Sequence, residues 1–290
     1  MPLSIFSPII YLLFGLILGK FPIELKGRIS MLLTKVVIPL VIIYNIATHQ
    51  SGTFVIMAGI IVMMFLMLCL SRMVTKDPVQ NLCFFYLNIG WLGLPIASTL
   101  FGDGAAMVII AAYVGSSLFG NSIGVGLMAH GQDIKTRIWQ TLQAPPVWAL
   151  LVGILCLPLH NSIEALKPIY DVLKFLMGFM GMVVLGIWLS STKITASDFK
   201  SALIPFFIRC MTIFVFVSLF ILVCQYYDIA LVLNNKPTLY LLCLLPPAAN
   251  IIVLETHYMK SGRSASMIAC GTCLSIAAIA AYVAFVLLKM

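Results

Sequence analysis

Apolar runs of roughly 20 residues, each cut off by a short polar cluster, recur along the whole chain. A run of that length crosses about 30 Å of hydrocarbon as a helix, so the pattern predicts an all-α membrane protein. Dividing the chain at its polar clusters gives ten transmembrane helices. They cover residues 3–19, 29–48, 53–71, 80–102, 104–128, 143–159, 168–190, 200–224, 237–258 and 263–288. The sixth is the shortest, opened by Pro145-Pro146 and closed by Pro158. No basic run precedes the first and no small-residue cleavage site follows Met1-Pro2-Leu3-Ser4, so it reads as a retained helix rather than a signal peptide.

Two of these spans are interrupted where no water can repair the damage. The fourth contains "NIGWLGLP", residues 88–95, and the ninth contains Pro246-Pro247. Pro95 has no N–H to donate and its ring clashes with the carbonyl four residues back, while Gly90 and Gly93 let the chain leave helical geometry at little steric cost. Unpaired backbone in hydrocarbon costs several kcal/mol per group, so it survives only where it lines a cavity or is buried in protein. Breaks in two corresponding spans are the sequence mark of a transporter's binding site. Half-helices restarting near Pro95 and near Pro247 would turn free amides and positive dipole ends toward the membrane midplane, which favours an anion such as a carboxylate. Asn88 and Asn250 stand beside the breaks and add donors and acceptors. The candidate substrate-binding set is therefore Asn88, Gly90, Gly93, Pro95, Pro246, Pro247 and Asn250.

Loop charge sets a direction. Lys20, Lys26, Arg28, Arg72, Lys76, Lys135, Arg137, Lys193, Lys200, Lys260 and Arg263 follow odd-numbered spans, against Lys167, Lys236 and Lys289 on the other side. Basic loops stay in the cytoplasm, so both termini are expected on the non-cytoplasmic side. With five spans per half, the halves point in opposite senses, and their breaks fall in the fourth and ninth spans. The expectation is two inverted five-helix repeats, over residues 1–130 and 141–290, in one membrane domain.

Composition agrees: 62% of residues are hydrophobic and 9% charged. The net charge of +8 is spent on topology, so nucleic acid is not an expected partner and the lipid bilayer is. The eight cysteines lie in apolar runs, and the Cys270/Cys273 pair reads as packing rather than redox chemistry. Lys35 and Lys174 are placed to reach headgroups, and the small face of the fifth span (Gly115, Ser116, Ser117, Gly120, Gly124, Gly126) to admit close helix approach. Arg209 lies too deep to face lipid and is expected to pair with Glu255. Both are coupling candidates, Glu255 as a proton-accepting carboxylate or, more blandly, as an interfacial acid paired with Lys260 or Arg263. No nucleophile–base set, HExxH or phosphate loop is present, and His49, His130 and His160 stand alone, so neither an enzyme nor a metal site is expected.

The stretches "NIGWLGLP", "LFGDGAA" after it, "LLPPAANIIVLETHY", and Lys35 to Pro39 resemble the auxin efflux carrier family in its smaller bacterial form. The resemblance implies ten helices, with the fourth and ninth crossing at their prolines. It also implies a scaffold group (first, second, sixth and seventh spans) beside a transport group, and dimers built through the scaffold. Its members look like carriers of small organic anions such as malonate or malate, working by alternating access. No cofactor is implied; the driving ion would be a proton or sodium. The chain departs from the family at Glu255, where a small residue is commoner. Two further readings stand beside the carrier: a ligand-sensing receptor that keeps the fold, and a sodium-coupled organic-anion symporter of the bile-acid type. The crossing has no central acid to hold sodium.

Overall fold

The computed structural model describes residues 7–21, 25–48, 51–128 and 145–289, with isolated residues between 135 and 143. The N-terminal tetrapeptide, His49, His130 and the His257 side chain lie outside them. The described chain is helical. In order come α1 (Ser7–Leu18), α2 (Leu25–Leu32), α3 (Ile38–Ala47), α4 (Thr53–Val74), α5 (Pro78–Phe85), α6 (Leu94–Met128) and α7 (Pro145–Leu155). After these come α8 (His160–Glu164), α9 (Lys167–Ser191), α10 (Ala196–Tyr226), α11 (Ala230–Leu233), α12 (Lys236–Leu241), α13 (Asn250–Tyr258) and α14 (Ser264–Lys289).

Among the described residues six helices are long and apolar enough to cross a membrane, and a seventh candidate is bent by 57° between Val147–Leu155 and Leu157–Glu164. Their surfaces carry large apolar side chains rather than charges. One face of α10 leaves Ile204, Phe207, Met211, Leu219 and Leu222 exposed. A contiguous apolar face of that size is intolerable in water and ordinary in lipid. The chain is a helical, multi-pass membrane-type protein.

Local chemistry sets the helix limits. Asp77 caps α5, accepting from the Val79 amide at 3.0 Å, and Pro78 occupies the first turn, where its missing N–H costs nothing. Thr195 and Asp198 close a reciprocal capping box at α10. Two wide π-helical turns, Leu33–Val37 and Ile89–Gly93, run into α3 and α6 just ahead of Pro39 and Pro95. Each proline removes an i→i−4 bond, and the Ile38 and Leu94 amides reach back five residues instead, to Leu33 and Ile89. Gly102, at φ +79°, bends α6 into two arms near the boundary expected between the fourth and fifth spans.

Packing sorts the helices into two sets. In one, α1 lies on α9 and α3 on α7. Gly15 and Gly186 let the α1 and α9 backbones meet, since a Cβ on either would strike the other helix's main chain. In the other, α4 packs on both α5 and α6, and α10 on α14. The Ile89–Gly93 turn and α6 lie between them, against α9.

Candidate functional site

The two interrupted segments pair with each other through their backbones. Leu87 and Pro247 form an antiparallel bridge. The Asn88 amide donates to the Pro246 carbonyl at 2.8 Å, and the Ala248 amide donates to the Tyr86 carbonyl at 2.8 Å. This is a strand-like patch of three residues a side within an otherwise helical protein. It forms because both chains leave helical geometry together, and each then supplies the partner that the other has lost.

Of the expected residues, Asn88, Pro246 and Pro247 lie in this bridge, and all three are buried. The buried Asn88 Nδ2 has no hydrogen-bond partner. Asn250 opens α13 and donates from Nδ2 to the Tyr86 hydroxyl at 3.4 Å. That hydroxyl donates in turn to Asn121 Oδ1 at 3.2 Å. Gly90 backs onto the Tyr113 ring, where a Cβ would stand 2.7 Å from a ring carbon, and Gly93 backs onto Leu245. Gly120 admits Tyr86 and Gly271 admits Pro247, at 2.6 and 2.8 Å from a built Cβ. Ser117 stands beside the Tyr86 and Tyr113 phenols. The site is thus a closely packed polar knot.

Pro95 is elsewhere. The break falls at Tyr86–Asn88, and Pro95 sits in the first turn of α6, packed against Gly178 of α9. A proline at the start of a helix is accommodated rather than disruptive, and the π-helical turn before it absorbs the missing bond. The crossing therefore holds the prolines of one segment only.

Arg209 and Glu255 do not pair. Glu255 is fully buried; Oε1 accepts from Ser261 Oγ at 2.6 Å and from the Arg263 amide at 2.8 Å, and Oε2 accepts from the Ser264 amide at 2.8 Å. Arg263 Nε stands 4.0 Å away, which is the pairing expected of an interfacial acid, whereas Lys260 is not among its partners. Donors within nine residues along the chain occupy the carboxylate before a distant guanidinium can. Arg209 instead donates from Nη1 to the Cys83 carbonyl at 3.3 Å and lies over the Phe206 ring, 5.4 Å from its centroid.

A second polar group, which sequence reasoning left apart, joins the two helix sets. Lys174 of α9 meets Asp103, beside the Gly102 bend of α6, at 2.6 Å, and Asp171 at 3.6 Å. Lys167 stands 3.9 Å from Asp103. The Lys174 ammonium lies over the Tyr170 ring, and the Tyr170 hydroxyl donates to Asn45 at 3.3 Å. Lys35, by contrast, is exposed on the Leu33–Val37 turn. Cys270 is buried and Cys273 exposed, both as free thiols. His160 meets the Ala47 carbonyl and Glu164, and among the described residues no group of three or more His, Cys, Asp or Glu is placed to hold a metal ion.

The polar groups the arrangement could turn toward a carboxylate are the Asn88 and Asn250 side-chain amides and the Tyr86 hydroxyl; the leading N–H groups of α13, at Ile251 and Ile252, already donate to the Ala248 and Ala249 carbonyls. Compared with protein-family models and with curated proteins, the chain matches none.

Proposed function

We propose that this protein is a secondary transporter of a small organic anion, similar to auxin efflux carriers, working by alternating access in a cell membrane. The observation that carries the reading is the backbone bridge between two interrupted segments, each restarting as a helix beside an asparagine. Discontinuous helices that meet inside a membrane protein are the recurring frame of transporter sites. On this reading α1, α5 with the first arm of α6, bent α7–α8, and α12–α13 count as spans beside the longer helices. The total is ten, in two inverted repeats of five, with both termini on the non-cytoplasmic side. The α1, α2–α3, α7 and α9 set is the scaffold, through which a homodimer forms. The coupling ion is a proton or sodium.

The test is counterflow in proteoliposomes, with labelled malonate as probe and a panel of mono- and dicarboxylates as competitors. Asn88→Ala and Asn250→Ala are each expected to weaken carboxylate binding by about 1–3 kcal/mol. Normal binding and flux in both variants at wild-type expression would remove the bridge as the site. Saturable binding without counterflow would make the protein a receptor instead.

A further inference from the structure

Arg209 sits well inside α10 and is 4% exposed. A cation in that setting is costly unless a counter-charge or dipole meets it. Among the described residues it makes no ion pair. Its Nε and Nη2 are buried without hydrogen-bond partners, and the Phe206 ring meets only its face. What it does meet is the Cys83 carbonyl.

That carbonyl belongs to the last turn of α5, which ends at Phe85 immediately before the bridge. A helix end leaves its final carbonyls without intrahelical partners and concentrates about half a negative charge there. In water such groups are solvated; at this depth they need a donor from the protein. A guanidinium is suited to the task, having five donors in a rigid fork and a weakly hydrated charge. The buried cation thus meets one carbonyl of the stranded helix end through Nη1, and its charge faces the negative end of the helix.

We propose that Arg209 is a positioning residue that caps the carboxyl end of α5 and so fixes Tyr86 and Asn88 in register with residues 246–248. The proposal gains functional weight from reading the bridge as the site, but it concerns the bridge itself. Its test therefore needs no substrate and can fail independently of transport.

The experiment is hydrogen exchange by mass spectrometry on the full chain in detergent, following fragments that cover residues 86–90 and 246–250. Arg209→Met is expected to speed exchange at the Asn88 and Ala248 amides by about tenfold or more, while fragments from α9 keep wild-type rates. Arg209→Lys, whose ammonium can still meet one carbonyl, is expected to restore most of the protection. Wild-type protection at the bridge in folded Arg209→Met would overturn the proposal. So would an acceleration that spreads equally into α9, which would mark a general loss of packing. If the methionine variant yields no folded protein, Arg209→Gln takes its place and is judged by the same two outcomes.

Discussion

Glu255→Gln separates an anchoring acid from a coupling acid. The wild-type carboxylate receives two main-chain amides, from Arg263 and Ser264, and one hydroxyl, from Ser261, with no exposure to solvent. Ser264 begins α14, so the carboxylate reaches back from α13 to cap the next helix. Hydrogen bonds to a charged acceptor contribute about 1.5–3 kcal/mol each. Glutamine preserves shape and one oxygen but turns an NH2 group toward at least one of these donors. The change therefore forfeits one charge-assisted bond, leaves a buried N–H unpaired, and removes the charge at the helix start, which is worth a further 0.3–1 kcal/mol or so. The expected loss is about 2–4 kcal/mol, concentrated where α13 meets α14.

The local character of that loss gives it a sharp assay. The turn between the helices offers trypsin the bonds after Lys260 and Arg263, and Lys260 is held there at φ +55°. Weakening the anchor by about 2 kcal/mol raises the population of the opened turn roughly thirtyfold, and cleavage follows that population when closing is fast. Tryptic digestion in detergent, with unfolding midpoints measured alongside, reads both effects. Cleavage and midpoint equal to wild type would refute the anchoring argument. If the same variant also abolished the dependence of flux on a pH gradient, Glu255 would be the coupling group.

Two further outcomes follow from the packing and the ion pairs. Asp103, at the bend between the arms of α6, is held below the usual aspartate range by its hydrogen bond to Lys174 and by that residue's charge. Because its folded-state pKa is depressed, its contribution is present above the ordinary value of 3.8 and disappears as pH falls through the folded value. Asp103→Asn should cost less than about 1 kcal/mol at neutral pH, since the carboxylate is largely exposed, and unfolding curves of the two proteins should converge in acid; a gap that persists there would refute the pairing. Gly120→Ala places a Cβ 2.6 Å from the Tyr86 ring, so the ring must move. A loss of about 1–3 kcal/mol in detergent unfolding is expected, and an unchanged midpoint would show that the knot is loosely packed.

The sequence carried the breaks because their chemistry is local. A proline lacks its N–H wherever it stands, and glycines such as Gly90 and Gly93 can leave helical geometry in any setting. Where each break would fall was less legible. The sequence points to Pro95, yet a proline at a helix start is tolerated, and the disruption lies at Tyr86–Asn88. Tyr86 carries no such local mark: an aromatic residue in an apolar run reads as core, and only the fold sets its hydroxyl between Asn250 and Asn121. The expected Arg209–Glu255 pair failed for a related reason. Hydropathy gives depth in the membrane but not direction around the helix, and two residues at one level can face different neighbours. The Asp103–Lys174 contact joins residues far apart in the chain, and nothing local in either segment announces the other.

The bridge also constrains how the protein can move. Separating the segments would break two backbone hydrogen bonds, Asn88 to Pro246 and Ala248 to Tyr86, in surroundings that offer no water. In an apolar medium each is worth about 4–6 kcal/mol, so parting them costs roughly 10 kcal/mol before anything is gained. Sliding the paired segments against α9 is far cheaper. There Gly178 and Gly181 present a smooth backbone to Pro95 and Trp91, and the polar tie at that interface is the partly exposed Asp103–Lys174 pair, worth at most about 1 kcal/mol. Any cycle of access should therefore carry the crossing as one rigid unit over α9. In a background freed of the eight native cysteines, closing a disulfide between Leu87→Cys and Pro247→Cys should not lower counterflow below that of the same variant when reduced, whereas closing one between Gly178→Cys and Pro95→Cys should stop the counterflow that its reduced form supports. The reverse pattern would mean that the segments themselves part, and that the bridge is a gate rather than a hinge-free block.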